Sequence, residues 1–161
     1  MLIGVLSDTH GCAEITCRAV ELLKTSGAEL LIHCGDVGGP RVLDAMLGLP
    51  ASFVLGNTDE DAYTLKQHAI TIGIRFYDRL GRITAGDKIV TFLHGDDSTR
   101  MKSLLEAQDC DLLFYGHTHR GDVQDVGRIR VINPGALQRV AIKTVALVNT
   151  DSREVKFLKV S

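Results

Sequence analysis

Five short apolar runs in this 161-residue chain end in the same way, with glycine close to Asp, Asn or His. Leu30-Leu31-Ile32-His33-Cys34 runs into Gly35-Asp36-Val37-Gly38-Gly39. Leu2–Leu6 leads to Ser7-Asp8-Thr9-His10-Gly11, and Ser52–Leu55 to Gly56-Asn57-Thr58-Asp59. Ile89–Leu93 leads to His94-Gly95-Asp96, and Leu112–Tyr115 to Gly116-His117-Thr118-His119. Short continuous apolar runs bounded by turn residues read as strands buried on both faces. In open α/β sheets, ligands bind in the crevice outside the C-terminal ends of the strands. A chain that delivers carboxylates, imidazoles and an amide to five strand ends is therefore expected to gather them, with Asp36 at the centre.

The segments between these runs complete an α/β pattern. Ala13–Ser26 places Ile15, Ala19, Val20, Leu22 and Leu23 at helical spacing, and Gly27 stops it. Pro40–Leu47 reads as a second helix with Pro40 near its start. Pro50 breaks the chain before the third strand, so the first half is βαβαβ and predicts a right-handed, mostly parallel sheet. Glu60–His68 reads as a weaker helix. From Thr71 onward Ile72, Ile74, Phe76 and Ile83 alternate with polar residues, which predicts antiparallel sheet leading into Lys88–Leu93. Ser98–Gln108 is a helix anchored by Met101, Leu104 and Leu105. Short strands follow at Asp122–Val126, Ile129–Ile132, Thr144–Val148 and Val155–Val160, with a sharp turn at Asn133-Pro134-Gly135. Two mixed sheets packed face to face, with helices outside, would house these elements. No repeat, low-complexity segment or linker divides the chain, so residues 1–161 are expected to form one domain.

Charge narrows the function. A formal charge of −2 gives no basic footprint for a dedicated nucleic-acid binder, so long duplex nucleic acid is disfavoured as a partner. No apolar stretch is long enough to span a bilayer, and Leu2-Ile3-Gly4-Val5-Leu6 follows Met1 with no basic leader region; a cytoplasmic protein is expected. Cys12, Cys17, Cys34 and Cys110 lack metal or redox spacing and read as reduced structural thiols.

Asp8, His10, Asp36, Asn57, His94, His117 and His119 are oxygen and nitrogen donors of the kind that hold catalytic divalent metals. Asp8-x-His10, Gly35-Asp36, Gly56-Asn57-x-Asp59, His94 and Gly116-His117-x-His119, in this order, resemble the calcineurin-like metallophosphoesterase superfamily. The compact size and the Asn133-Pro134-Gly135 turn resemble its small branch of bacterial and archaeal phosphodiesterases. The resemblance covers about Met1 to Gly135 and implies a four-layer α-β-β-α sandwich of two mixed β-sheets flanked by helices. It implies one metal held by Asp8, His10, Asp36 and His119, and a second held by Asp36, Asn57, His94 and His117, with Asp36 bridging. Asp36, Asn57, Asp59 and His94 are the residues expected to carry the chemistry. The implied reaction is hydrolysis of a small or activated phosphodiester by in-line attack of a metal-bridging hydroxide. Manganese is the favoured ion, with Ni, Co, Fe or Zn compatible with the same donors. Alternatives are a phosphomonoesterase or protein phosphatase, and a metal-binding interaction scaffold similar to a retromer subunit. A homo-oligomer stays open.

Two positions depart from the pattern. Many superfamily members carry a His after the Asn, thought to protonate the leaving oxygen; here it is Thr58. Ala136 stands where relatives often have Ser. Among neighbouring residues, Asp59 is expected to orient nearby groups and His33 to be a strand residue with a local hydrogen bond. His68, Arg120 and Arg139 read as surface residues, and Asp96-Asp97 as a solvated helix start.

Overall fold

The computed structural model describes residues 1–161. In chain order the elements are β1 (Leu2–Leu6), α1 (Ala13–Thr25), β2 (Leu30–His33), α2 (Pro40–Ala45), β3 (Ala51–Phe53), α3 (Ala62–Ile72), β4 (Arg75–Phe76) and β5 (Leu80–Ala85). Then come β6 (Lys88–Leu93), α4 (Ser98–Ala107), β7 (Leu112–Phe114), β8 (Gly121–Val126), β9 (Ile129–Pro134), β10 (Thr144–Asn149) and β11 (Val155–Lys159). Two mixed sheets result, ordered β11-β10-β1-β2-β3-β4 and β5-β6-β7-β9-β8. β1 to β4 are parallel, as are β6, β7 and β9, while β10, β11, β5 and β8 pair antiparallel. No helix is long and apolar enough to cross a membrane.

Side-chain alternation explains why the strands are apolar throughout. Successive residues of a strand face opposite sides of the sheet. Ile3 and Val5 of β1, Val90 and Phe92 of β6, and Leu112 and Phe114 of β7 meet in the core between the sheets. Leu6 and Leu31 face the other way, against Ile15, Ala19, Val20 and Leu23 of α1 and Val42 and Leu43 of α2. Leu93 and Leu113 face Met101, Leu104 and Leu105 of α4. The layers are α-β-β-α, as the resemblance implied. The fourth layer is thin: no residue of α4 is fully buried.

Several boundaries differ from the sequence reading. The third helix runs to Ile72 rather than stopping at His68. The Asp61 carboxylate caps it on Thr64 N–H (3.0 Å), and Gly73 ends it in the left-handed conformation at φ 81°. Thr71 and Ile72 are thus helical, and their alternation with Ile74 and Phe76 was coincidental. Arg75–Phe76 then joins the first sheet parallel to β3, and the antiparallel pairing begins only at Leu80. The second helix is shorter than read, ending at Ala45. β9 continues through Pro134, paired with Gly121, so the sharp turn falls at Gly135 (φ 84°).

Candidate metal centre

The C-terminal ends of β1, β2 and β3 lie at one edge of the first sheet, and those of β6 and β7 at the matching edge of the second. The loops leaving them are stitched by backbone hydrogen bonds: Asp8 N to Gly35 O (3.1 Å), His10 N to Asp36 O (2.9 Å) and Gly116 N to His94 O (2.8 Å). All seven residues singled out as metal donors converge here. His119 Nε2 lies 3.0 Å from Asp8 Oδ1, and His10 Nε2 lies 3.7 Å from Asp36 Oδ2. His94 Nε2 lies 3.5 Å from Asp36 Oδ1 and 3.0 Å from Asn57 Oδ1. The His117 ring stands edge-on to that of His94 at 5.1 Å, and the backbone N–H of His117 donates to Asp8 Oδ2 (3.2 Å). Asp36 thus turns one oxygen toward His10 and the other toward His94.

The donor atoms fall into two overlapping clusters, Asp8-His10-His119 and Asp8-Asp36-His94, each within 4.8 Å. Asp8 belongs to both, so it lies as centrally as Asp36. Asn57 and His117 are exposed, whereas Asp8, Asp36 and His94 are buried; the site is open to solvent on the Asn57–His117 side.

The chemistry of these contacts fits a cation. The Cys34 carbonyl can only accept, so the 2.9 Å contact makes His94 Nδ1 the protonated nitrogen. Its Nε2 then presents a lone pair to two oxygens that also only accept, from Asn57 and Asp36. In this orientation of the Asn57 amide the three atoms converge on one point, an arrangement that a metal ion or a second proton on the ring would satisfy. Asp8 Oδ1 and His10 Nε2 are likewise buried with no hydrogen-bond partner, although each faces an opposite group. Burial opposes charge on His94, but hydrogen bonding and the charge of Asp36 outweigh it and raise its pKa. Burial pushes Asp36 the other way, yet the neighbouring His94 ring and the hydrogen bond from Thr58 N–H hold it well below the usual carboxylate range. For His10, burial dominates and lowers the pKa despite Asp36 nearby. A neutral His10 beside an ionised Asp36 is the state a divalent metal binds, whereas at His94 a metal would compete with a second proton.

Backbone conformation concentrates strain at the same place. Nine non-glycine residues have positive φ, and five are candidate ligands: Asp8 (55°), His10 (44°), Asp36 (54°), His117 (66°) and His119 (60°). Each such residue costs on the order of 1–2 kcal/mol, and clustering of that cost at one cleft marks a functional site.

Asp59 stands behind the donors rather than among them. It is buried, and its oxygens accept from Val37 N (3.1 Å), Gly38 N (2.8 Å) and Gly56 N (2.8 Å), tying the loops after β2 and β3 together. His33 accepts locally from Gly35 N–H as expected, but it also bonds Thr9, 24 residues away, and so ties the loop after β1 to the loop after β2. His68 pairs with Asp44 (2.6 Å) between α2 and α3, so it is not a free surface residue. Asp97 caps α4 on Arg100 N–H (2.9 Å). Two positioning residues escaped the sequence reading, Arg79, which bonds the Gly56 carbonyl, and Asn133. Asn133 is buried, donates to Gly116 O (2.7 Å) and Thr118 Oγ1 (3.0 Å), and so holds the loop that carries His117 and His119. Its place beside Pro-Gly was visible, but its partner seventeen residues away was not.

An α-β-β-α sandwich with two Asp, four His and an Asn at its paired strand ends defines a metal-dependent phosphoesterase. The chain belongs to the calcineurin-like phosphoesterase superfamily, whose domain model matches residues 1–153. A phosphodiesterase of Methanocaldococcus jannaschii is 27% identical over 161 residues, covering 97% of both chains. The structure of an archaeal phosphodiesterase superposes with a TM-score of 0.91 at 26% identity, covering 99% of this chain and 100% of that one. Zinc-bound Vps29 from Entamoeba histolytica shares the fold, with a TM-score of 0.68 at 19% identity over 99% of this chain and 98% of that one.

Proposed function

We propose that this chain is a dinuclear phosphodiesterase in which residues 1–161 act as one domain. Asp8, His10, Asp36 and His119 would hold one divalent ion, and Asp36, Asn57, His94 and His117 the other. The observation that supports this reading most is the convergence of His94 Nε2, Asn57 Oδ1 and Asp36 on one point, a donor set that suits a divalent cation. Manganese is the favoured ion. Bound ions supply charge neutralisation at the phosphoryl oxygens and an activated water for in-line attack.

The protein's own residues orient and insulate. The Cys34 carbonyl fixes the His94 tautomer, Thr58 N–H fixes Asp36, and Asp59 fixes the backbone on which both loops turn. Asn57 and His117, on the exposed side, are where a small diester would approach. The close overall likeness to an archaeal phosphodiesterase supports diester over monoester as substrate.

The test is hydrolysis of bis-p-nitrophenyl phosphate by metal-stripped protein resupplied with Mn, Ni, Co, Zn or Mg, beside the matching monoester and Asp36→Asn. Metal-dependent diester turnover that the variant loses is expected. A monoester preference with every metal, or absence of turnover despite bound metal, overturns the reading.

A further inference from the structure

A cavity of about 310 Å³ adjoins the candidate ligands Asn57 and His94, and its far wall carries Arg79, Asp96, Asp97 and Arg100. Arg79 precedes β5, and Arg100 lies in the first turn of α4. Each guanidinium has about five N–H donors, yet only one in this cleft is engaged, from Arg79 to the Gly56 carbonyl at 3.0 Å. The facing carboxylates stand beyond hydrogen-bond distance, Asp96 at 3.9 Å from Arg79 and Asp97 at 3.8 Å from Arg100 Nε. Asp97 also commits an oxygen to capping α4.

Elsewhere on the surface, arginines close on their acids: Arg82 on Asp109 (2.9 Å), Arg128 on Asp111 (2.7 Å) and Arg130 on Asp125 (2.9 Å). Arg79 and Arg100 are held off theirs, with donors to spare and a cavity in front. The donor surplus also argues against a cation held by Asp96 and Asp97. A planar fork of free N–H groups matches the oxygens of a phosphate.

We propose that Arg79 and Arg100 form a subsite for a second anionic group, a phosphate monoester on one alcohol arm of the diester. The inference rests on the phosphodiesterase reading and names its substrate class: diesters with a terminal phosphate. Arg79 has a second effect, because its bond to Gly56 O couples occupancy of the subsite to the loop that carries Asn57.

Two measurements on manganese-loaded protein test this. Calorimetry compares thymidine 5′-monophosphate with thymidine 3′,5′-bisphosphate, and kinetics compares thymidine 5′-(p-nitrophenyl phosphate) with and without a 3′-phosphate. The 3′-phosphate should tighten binding and raise kcat/KM by at least about tenfold, the smallest effect expected of a charge-assisted hydrogen bond. In Arg100→Gln and Arg79→Gln both ratios should fall toward one. Ratios near one in the unaltered protein, or unchanged in both variants, overturn the subsite. A binding preference that the variants lose, with turnover of neither ester, upholds the subsite and overturns the phosphodiesterase reading instead.

Discussion

His33 shows how one protonation state is built into the loops behind the site. Gly35 N–H points at its Nδ1 (3.2 Å), so Nε2 carries the proton and donates to Thr9 Oγ1 (2.9 Å). The Thr9 hydroxyl in turn donates to the Val37 carbonyl (3.0 Å). A second proton on the ring would face an N–H rather than an acceptor. Burial, and then the charge of His94, push the His33 pKa down to about 3. In the unfolded chain the same ring takes a proton near 6.5, so the unfolded state binds more protons between these values and stability falls as pH drops. This residue alone should cost about 1.4 kcal/mol per pH unit below about pH 6. Urea unfolding of metal-stripped protein at successive pH values down to about 5 should give a shallower decline in His33→Gln than in the unaltered chain. Equal slopes would mean that His33 is protonated in the native state. Thr58 makes a second point of this kind. It is exposed, its N–H is committed to Asp36, and its hydroxyl cannot give up a proton near neutrality. A general acid is typically worth ~10²–10⁴-fold, so esters with aryl leaving groups should turn over faster than alkyl esters by a factor of that order. Comparable kcat for methyl p-nitrophenyl and dialkyl diesters would show that another group protonates the leaving oxygen.

The strands and their terminal turns were legible because two signals coincided in each, an apolar run and a glycine beside a polar donor. The third helix was read short because Thr71-Ile72 also suits a strand. What decided the matter was the left-handed cap at Gly73, a local signal that the alternation of Ile72, Ile74 and Phe76 obscured. The donor residues were visible through their order and neighbours, whereas Asn133 and Arg79 were not. Each acts through a partner on another strand end, Gly116 O or Gly56 O, and nothing in local spacing records such a contact. The Gly56 turn shows why glycine is demanded at these ends. A Cβ there would lie 2.1 Å from Asp36 Oδ1 and 2.3 Å from Asp36 N, backbone as well as side chain. Gly56→Ala must therefore push the loop after β3 away from the loop after β2, and with it Asn57 from Asp36. The expected result is a fold unchanged by far-UV circular dichroism, with manganese affinity lowered at least about tenfold, the effect of about 1.4 kcal/mol. Unaltered affinity would mean that the two loops can separate without disturbing the donors.

The two sheets contribute different halves of the centre. Asp8, His10, Asp36 and Asn57 leave the first sheet, while His94, His117 and His119 leave the second. Along most of their length the sheets are joined by the apolar core between them, but at this edge that core gives way to polar groups. Asp8 and Asp36, both buried, share one cluster with His94. Two carboxylates so close repel each other in a low-dielectric setting, and the N–H groups of Thr58 and His117 that they accept from offset this only in part. Divalent ions would relieve that repulsion and cross-link the sheets where hydrophobic contact is absent. They would bind the assembled edge and not the unfolded chain, so mass action would convert affinity into stability: free metal at a hundred times Kd adds about 2.7 kcal/mol. For a chain of this size that corresponds to a rise in Tm of about 5–10 °C. Calorimetric melting of stripped and manganese-loaded protein should show this rise, increasing with metal concentration. Asp36→Asn, which removes the charge that faces both His10 and His94, should melt at nearly the same temperature with and without metal. A metal-dependent rise that persists undiminished in Asp36→Asn would place the stabilising ions somewhere other than between the two sheets.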